Sequence, residues 1–208
     1  MQNNIKEHLS RISSLFKKYG IKSVTMDDVS RELGISKKTL YTYFDDKTDL
    51  VEKVLTLEFE EKSCSFINSM ANRANALEEL FEYYKIQIRI LSSQQANFIY
   101  DLKKYYPAQF EKFSNRKKDL MIAKVKQNLK RGKEEGIYRQ DINEDIITRL
   151  HVARIESLRT SDLFTNEEIL SPEFFAEAFK YHVYGISSEE GRKIINNNIE
   201  KLIENALK

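Results

Sequence analysis

The chain has 208 residues, of which 41% are hydrophobic and 32% are charged, with a formal net charge of +2. This composition is typical of globular proteins and excludes the disordered class, while the near-neutral charge means that any binding of nucleic acid must depend on a local patch. Two prolines and six glycines leave little material for a turn-rich β fold, and the one cysteine, Cys64, excludes an intramolecular disulfide and a zinc site built from cysteines.

Apolar residues at helical spacing predict four helices in the first third of the chain. The first spans residues 5–19 and ends at Gly20, which favours a left-handed helix stop. Two short helices follow at 25–33 and 36–44, and a long one runs over 46–70. The expected N-caps of these last three helices are Thr25, Ser36 and Asp46.

The same reading predicts only helices in the rest of the chain. Pro107 and Pro172 each stand where a helix begins, and Ser171 is the expected cap before the second proline. No repeat or strand pattern is present, so the predicted fold class is all-α. The later helices are predicted at residues 76–92, 94–105, 107–135, 143–160, 172–187 and 189–207.

Residues 25–44 have the proportions of a helix-turn-helix, with "LGIS" as the turn. Leu40 and Phe44 are four residues apart and are expected to face inward, which leaves the polar residues of the second helix exposed. The N-terminal residues of such a helix reach base edges in a major groove about 12 Å wide. The predicted base-facing residues are Lys37, Lys38 and Thr42. The side chains that suit phosphate oxygens are Tyr41, Tyr43 and Lys47.

Residues 19–55, "YGIKSVTMDDVSRELGISKKTLYTYFDDKTDLVEKVL", resemble the DNA-binding segment of the TetR family of bacterial transcriptional regulators. The features that carry the resemblance are the G-x-x-x-x-T opening, the V-S-R-E-L-G-I-S turn, T-L-Y-x-Y-F and the following K-x-x-L. The resemblance implies that Ser36 caps the recognition helix and that the same three residues face the bases. The backbone contacts that it implies are Thr25, Ser36, Thr39, Tyr41, Tyr43 and Lys47.

Asp45 and Asp46 are negatively charged and are therefore unfavourable on a surface that is expected to bind phosphate groups. Asp46 is explained as a helix cap, whereas the sequence gives no explanation for Asp45, which is expected to repel DNA and to lower the affinity.

The resemblance also implies two domains. Residues 1–46 are expected to form the helix-turn-helix DNA-binding domain, and residues 47–208 a larger helical domain for effector binding and dimerisation. Residues 146–158 and 174–186 are unusually apolar, and two such helices from each subunit make a four-helix bundle. The alternative is that both helices belong to the core of one chain. The predicted interface residues are Ile146, Leu150, Ala153, Ser157, Phe175, Phe179, His182 and Val183.

Aromatic and aliphatic side chains of the middle helices are candidates for an effector pocket, although side chains at this spacing also form ordinary core. No charged cluster accompanies them, which favours an apolar or aromatic effector. The candidates are Phe66, Phe81, Tyr84, Ile88, Phe98, Leu102, Phe110, Phe113 and Met121.

These patterns predict a sequence-specific DNA-binding homodimer. With the resemblance they imply a ligand-responsive transcriptional regulator, a repressor that binds a palindromic DNA operator. The alternative is a helical scaffold that binds a protein partner through its C-terminal helices. The three histidines lack metal-ligand spacing, and no catalytic constellation appears, so neither an enzyme nor a cofactor is expected. No signal peptide or membrane span is recognisable, and a cytoplasmic location is expected.

Overall fold

The computed structural model describes residues 2–71, 73–92, 96–158 and 162–206, and these residues are predominantly α-helical. The helices are α1 (Gln2–Tyr19), α2 (Met26–Leu33), α3 (Lys37–Tyr43), α4 (Lys47–Met70), α5 (Ala76–Ser92), α6 (Ala96–Tyr105), α7 (Pro107–Glu134), α8 (Glu144–Leu158), α9 (Asn166–Ile169), α10 (Pro172–Ile186) and α11 (Glu189–Ala206). The all-α prediction is confirmed. The four-residue α9 was not predicted, and an isolated bridge joins Tyr138 to Ser187.

The ends of the short helices follow their predicted capping chemistry. Thr25 Oγ1 accepts a hydrogen bond from Asp28 N at 3.2 Å, and the Asp28 carboxylate accepts one from Thr25 N at 2.9 Å, which makes a reciprocal capping box. Gly34 adopts the left-handed conformation, with φ of 69°. The other predicted N-caps, Ser36, Asp46 and Ser171, each accept a hydrogen bond from the backbone N–H three residues later.

The chain folds into two compact units. Unit 1 contains Met1–Ser65 and Gln94–Lys117, and unit 2 contains Phe66–Ser93 and Lys118–Lys208. The helix-turn-helix therefore shares a unit with most of α4 and with α6. The functional boundary predicted at residue 46 differs from the boundary between the compact units, which follows Ser65. Apolar side chains of α4 lie in the core of unit 1. The most buried of these are Leu50, Val51 and Val54.

Glu58 joins α4 to α1 inside unit 1. Its side chain is buried, and it accepts hydrogen bonds from Ser13 Oγ at 2.6 Å and from Lys17 Nζ at 2.5 Å, with Lys62 Nζ at 2.9 Å. Burial by itself would raise the pKa of Glu58. The hydrogen bonds from Lys17, Ser13 and Lys62 outweigh burial and lower the pKa of Glu58 to about 2.

Tyr138 is the central buried side chain of unit 2. Its hydroxyl lies 3.1 Å from both Ala76 O and Asn128 Oδ1, and Asn128 Nδ2 donates to the same carbonyl at 2.8 Å. A Cβ added at Gly132 would lie 2.0 Å from the Tyr138 ring, so the close approach of α7 to this ring requires glycine. Within the described ranges, no helix combines the length and the apolar character that crossing a membrane requires.

We predict that Glu58→Gln destabilises the protein in a pH-dependent way. The pKa of Glu58 is lower in the folded state than its ordinary value of 4.5, so the ionised group stabilises the fold above pH 4.5, and this contribution is lost as the pH falls towards 2. We expect the free energy of unfolding to fall by about 2–3 kcal/mol at neutral pH and by less than half of that near pH 3. Urea denaturation at both pH values measures the difference.

Glu61→Gln is the matched control, because Glu61 is paired with Lys6 and both side chains are largely exposed. It should change stability by less than about 0.5 kcal/mol at either pH. An equal loss for Glu58→Gln at both pH values would show that the ion pairs are not the cause.

Candidate nucleic-acid interface

Two buried side chains hold α3 on unit 1. Leu40 is 0% and Phe44 is 1% exposed, which confirms that both face inward. Because they are four residues apart, they lie on one side of the helix and fix which residues lie on the other. The exposed side chains of α3 are Lys37, Lys38, Tyr41 and Thr42. The structure therefore brings the three predicted base-facing residues and Tyr41 onto one free surface.

The two lysines of this surface have different environments. Lys37 Nζ forms an ion pair with Asp27 of α2. Lys38 is exposed and makes no ion pair with any described residue. Asp27 therefore competes with DNA for Lys37, although the exposure of both partners keeps the cost of separating them small. Lys38 is immediately available to a base edge.

The threonine hydroxyl groups of α3 form hydrogen bonds within the helix and with its N-cap. Thr42 Oγ1 donates to Thr39 O at 2.6 Å, which leaves its methyl group and oxygen lone pairs for a base. Thr39 Oγ1 lies 2.9 Å from Ser36 Oγ, so the cap and this predicted backbone contact are joined. The arrangement favours Thr42 as a methyl contact or an acceptor rather than as a donor.

Tyr43 and Lys47 are half-buried at the edge of the surface. The Tyr43 ring packs edge-on against His8 of α1, with 6.0 Å between ring centroids, so its predicted outward position holds only in part. Lys47 Nζ donates to Lys22 O at 3.3 Å. Burial lowers the pKa of Lys47, while the nearby carboxylates of Asp101 and Asp28 oppose this shift.

Thr25 caps α2 as predicted, and this role competes with its predicted phosphate contact. Its hydroxyl donates to Asp28 Oδ2 at 2.6 Å, so its proton is not available to a phosphate in this arrangement. The hydrogen bonds from the Thr25 side chain and backbone lower the pKa of Asp28. Thr25 thus fixes the start of α2, next to the turn that precedes it.

The acidic residues near α4 are mostly held by protein groups. Asp46 caps the helix, and Asp49 accepts hydrogen bonds from Lys53 Nζ at 2.7 Å and Asp45 N at 3.1 Å. The carboxylate of Asp45 itself is exposed, and no described residue donates to it. Asp45 therefore places an uncompensated negative charge directly after α3.

Sequence reasoning missed how α6 supports the helix-turn-helix. The Lys22 N–H, in the turn between α1 and α2, donates to Asp101 Oδ2 at 2.9 Å. The Lys22 ammonium lies 4.6 Å from the centroid of the Tyr105 ring. These contacts span about 80 residues of sequence, and no local pattern signals them.

The predicted effector-pocket residues divide between the two units. Phe98, Leu102, Phe110 and Phe113 belong to the apolar cluster of unit 1. Phe66, Phe81, Tyr84 and Met121 belong to that of unit 2. The side chain of Ile88 lies outside the described residues. No three His, Cys, Asp or Glu side chains in the described ranges are placed to hold a metal ion.

The predicted interface residues divide between surface and core. Ile146 and Leu150 are 48% and 61% exposed, and with the exposed Ala153 and Ser157 they form a stripe along α8. Three predicted residues of α10 are instead buried in the core of unit 2, which is the alternative that the sequence left open; these are Phe175, Phe179 and Val183. His182 is half-buried, and Tyr181 beside it is 80% exposed.

A family comparison identifies the helix-turn-helix. Residues 9–54 match the family model described as bacterial regulatory proteins, tetR family. Over this segment the chain is similar to that family. The match runs from Leu9 of α1 through α3 to Val54 of α4, and so contains every predicted DNA contact.

Relatives and solved structures extend the comparison. An HTH-type transcriptional regulator of Staphylococcus aureus (strain USA300) is 34% identical over 64 residues, or 29% of this chain and 35% of that protein. The chain thus spans about a third of the length of the curated relatives it matches. The reduced form of Escherichia coli NemR has a TM-score of 0.66 at 16% identity, over 88% of this chain and 97% of its own.

A third likeness covers a similar share of the chain. The ketosteroid transcriptional regulator KstR2 of Mycobacterium tuberculosis has a TM-score of 0.54 at 20% identity, over 88% of this chain and 94% of its own. Identities this low show a shared fold alone. The Staphylococcus aureus relative and the Mycobacterium tuberculosis structure are both described as transcriptional regulators.

We predict that Asp45→Asn strengthens DNA binding. Removing an exposed, uncompensated carboxylate beside the predicted phosphate contacts should raise the affinity for a generic duplex by roughly two- to fivefold at low salt, with a smaller gain at high salt. Fluorescence anisotropy on a labelled duplex over a salt series measures this. Asp119→Asn, which removes an exposed carboxylate from unit 2, is the control and should leave the affinity unchanged. A weaker Asp45→Asn variant would assign Asp45 a structural role instead.

Proposed function

We propose that this protein is a ligand-responsive repressor of the TetR family that binds a palindromic DNA operator as a homodimer in the cytoplasm. The observation that carries the proposal is the free surface of α3. Its lysines and Thr42 face solvent on a helix whose other side is anchored in the core, within the segment that matches the family model. This is the arrangement in which a recognition helix enters a major groove.

Base reading is assigned to Lys37, Lys38 and Thr42. Lysine ammonium groups suit the O6 and N7 acceptors of guanine, and the threonine methyl group suits the thymine methyl. Backbone positioning is assigned to Tyr41, together with the half-buried residues at the edge of the surface. The half-buried backbone contacts are Thr39, Tyr43 and Lys47.

Dimerisation is assigned to the exposed sides of α8 and α10. The stripe of Ile146, Leu150, Ala153 and Ser157 is apolar with two small residues, which allows close helix packing. On α10 the exposed side contains Tyr181 and Gly185. Two copies of this surface around a two-fold axis form a four-helix bundle. A dimer presents two recognition helices to successive major grooves about 34–36 Å apart.

Ligand response requires coupling between an effector site and the DNA-binding helices. A coupling free energy of about 1–3 kcal/mol changes operator occupancy roughly five- to 150-fold. α4 contributes residues to both compact units and begins at Lys47, a proposed phosphate contact. It is therefore the helix through which an effector is proposed to alter the separation of the two recognition helices.

Selection of the purified protein against a random duplex pool tests DNA recognition. We expect enrichment of a palindrome, with an affinity that falls steeply as salt is raised. Replacing Lys37, Lys38 and Tyr41 together by alanine should abolish specific binding and leave helicity unchanged. Lys118→Ala with Lys130→Ala removes two exposed positive charges from unit 2 and should retain the palindrome. Flat enrichment by a folded dimer would favour the protein-binding scaffold instead.

The dimer surface is tested by Leu150→Glu. A charge at the centre of the apolar stripe should raise the dimer dissociation constant by roughly 100-fold, because two carboxylates would be buried at a two-fold interface. Sedimentation velocity over a concentration series measures this. Ile67→Glu, a comparable change at a side chain that is 39% exposed on α4, should leave the dimer intact. An unchanged Leu150→Glu dimer would exclude this surface.

A further inference from the structure

Polar side chains from three helices meet at the aromatic core of unit 2, where Tyr84 and His151 are buried and Arg154 and His182 are half-buried. Tyr84 of α5 lies 5.6 Å from His151 of α8 and 6.2 Å from His182 of α10, measured between ring centroids. The two imidazole rings are 4.3 Å apart. The Arg154 guanidinium carbon lies 5.7 Å from the centroid of the Tyr84 ring. One cation and two histidines therefore surround a buried tyrosine.

The positive charge of Arg154 meets no opposite charge among the residues that the structure describes. Its guanidinium donates to Ala178 O at 3.1 Å and to the Tyr84 hydroxyl, both of which are uncharged acceptors. No carboxylate of a described residue lies within ion-pair distance of it. A cation held against an aromatic core without a counter-ion is unfavourable, and an anion that reaches it gains correspondingly.

Several buried polar atoms beside Arg154 also lack a hydrogen-bond partner. His151 is 2% exposed, and neither of its ring nitrogens bonds to any described residue. The same is true of His182 Nε2 and of Thr148 Oγ1, one helical turn before His151. Buried polar atoms are almost always hydrogen-bonded, so these atoms indicate a group that the described residues do not supply.

The histidines present donors without adding charge. Burial lowers the pKa of His151 well below its ordinary value, and lowers that of His182 to about 3, with the Arg154 charge acting in the same direction. Each imidazole is therefore neutral at physiological pH and has one N–H group and one acceptor nitrogen. A metal cation does not suit the site, because Arg154 repels it.

We propose that Tyr84, Thr148, His151, Arg154 and His182 bind the carboxylate of an effector whose remaining part is apolar or aromatic. Arg154 supplies the charge and a planar pair of donors, and the imidazoles supply neutral N–H groups. Phe175 and Phe179 border Tyr84, and Phe81 packs against both of them, so that these three rings supply the apolar surroundings. The inference rests on the proposed ligand response and makes it more specific, since the sequence alone favoured an apolar or aromatic effector and indicated no carboxylate.

Histidine side-chain NMR of the full-length protein tests this site directly. The chain has three histidines, and His8 lies in unit 1, so it is an internal reference. We expect sodium benzoate to shift the His151 and His182 signals saturably and to leave His8 unchanged. Benzamide at the same ionic strength has the same shape without the charge and should bind at least tenfold more weakly.

Two substitutions separate the anion site from general effects of charge. Arg154→Gln should abolish the benzoate response, and Arg154→Lys, which keeps the charge, should retain part of it. Arg149→Gln removes an arginine from an exposed position on the same helix and should respond like the native protein. Intact signals of His151 and His182 without ligand show that each variant is folded.

Three results would overturn the proposal. The first is an equal response to benzamide, and the second is a benzoate response that persists in Arg154→Gln. The third is the absence of a saturable response to benzoate up to about 20 mM, a concentration far above the Kd of a functional site. If benzoate gives no saturable response, water molecules form the hydrogen bonds of the buried nitrogens. The titration contains no DNA, so its failure is distinct from a failure of the duplex selection, which tests the proposed regulator.

Discussion

Burial of Leu40 and Phe44 is the constraint on which the recognition surface depends. α3 has seven residues, and a helix this short is not stable in water by itself. Its helical form comes from the cap at Ser36 and from the packing of these two side chains into the core of unit 1. Because the inward side is fixed, the outward side is fixed as well. The orientation of the proposed base contacts is therefore set by two residues that are buried in the core.

Acidic residues around α3 offset part of the positive charge of its lysines, and the net charge of the whole protein is nearly zero. Asp28 completes the capping box of α2, Asp46 caps α4, and Asp27 is paired with Lys37. Carboxylates at helix N-termini are favourable because they meet the positive end of the helix dipole. The same carboxylates fix the starts of α2 and α4, so the protein gains precise helix placement at the expense of some attraction for phosphate. The Asp45 carboxylate neither caps a helix nor pairs with a lysine among the described residues.

The sequence predicts what depends on neighbouring residues. Caps such as Thr25 and the inward pair on α3 follow from spacings of three and four positions, and the structure confirms them. Contacts between distant segments left no such signal. Asp101 reaches the Lys22 backbone, and Arg154 reaches Tyr84, across about 70 to 80 residues. On α10 the apolar spacing was visible, but it did not distinguish the side that fills the core from the side that is exposed.

The two sides of α8 connect the proposed carboxylate site with the proposed dimer surface. Thr148, His151 and Ile155 are buried, whereas Leu150, Ala153 and Ser157 are exposed on the other side of the same helix. Arg154 lies between these sides and is half-buried. A ligand that repositions Arg154 and His151 acts on a rigid helix whose opposite side contacts the second copy in the proposed dimer. Since packed interfaces have discrete arrangements rather than continuous ones, a small shift of α8 is sufficient to favour one dimer arrangement over another.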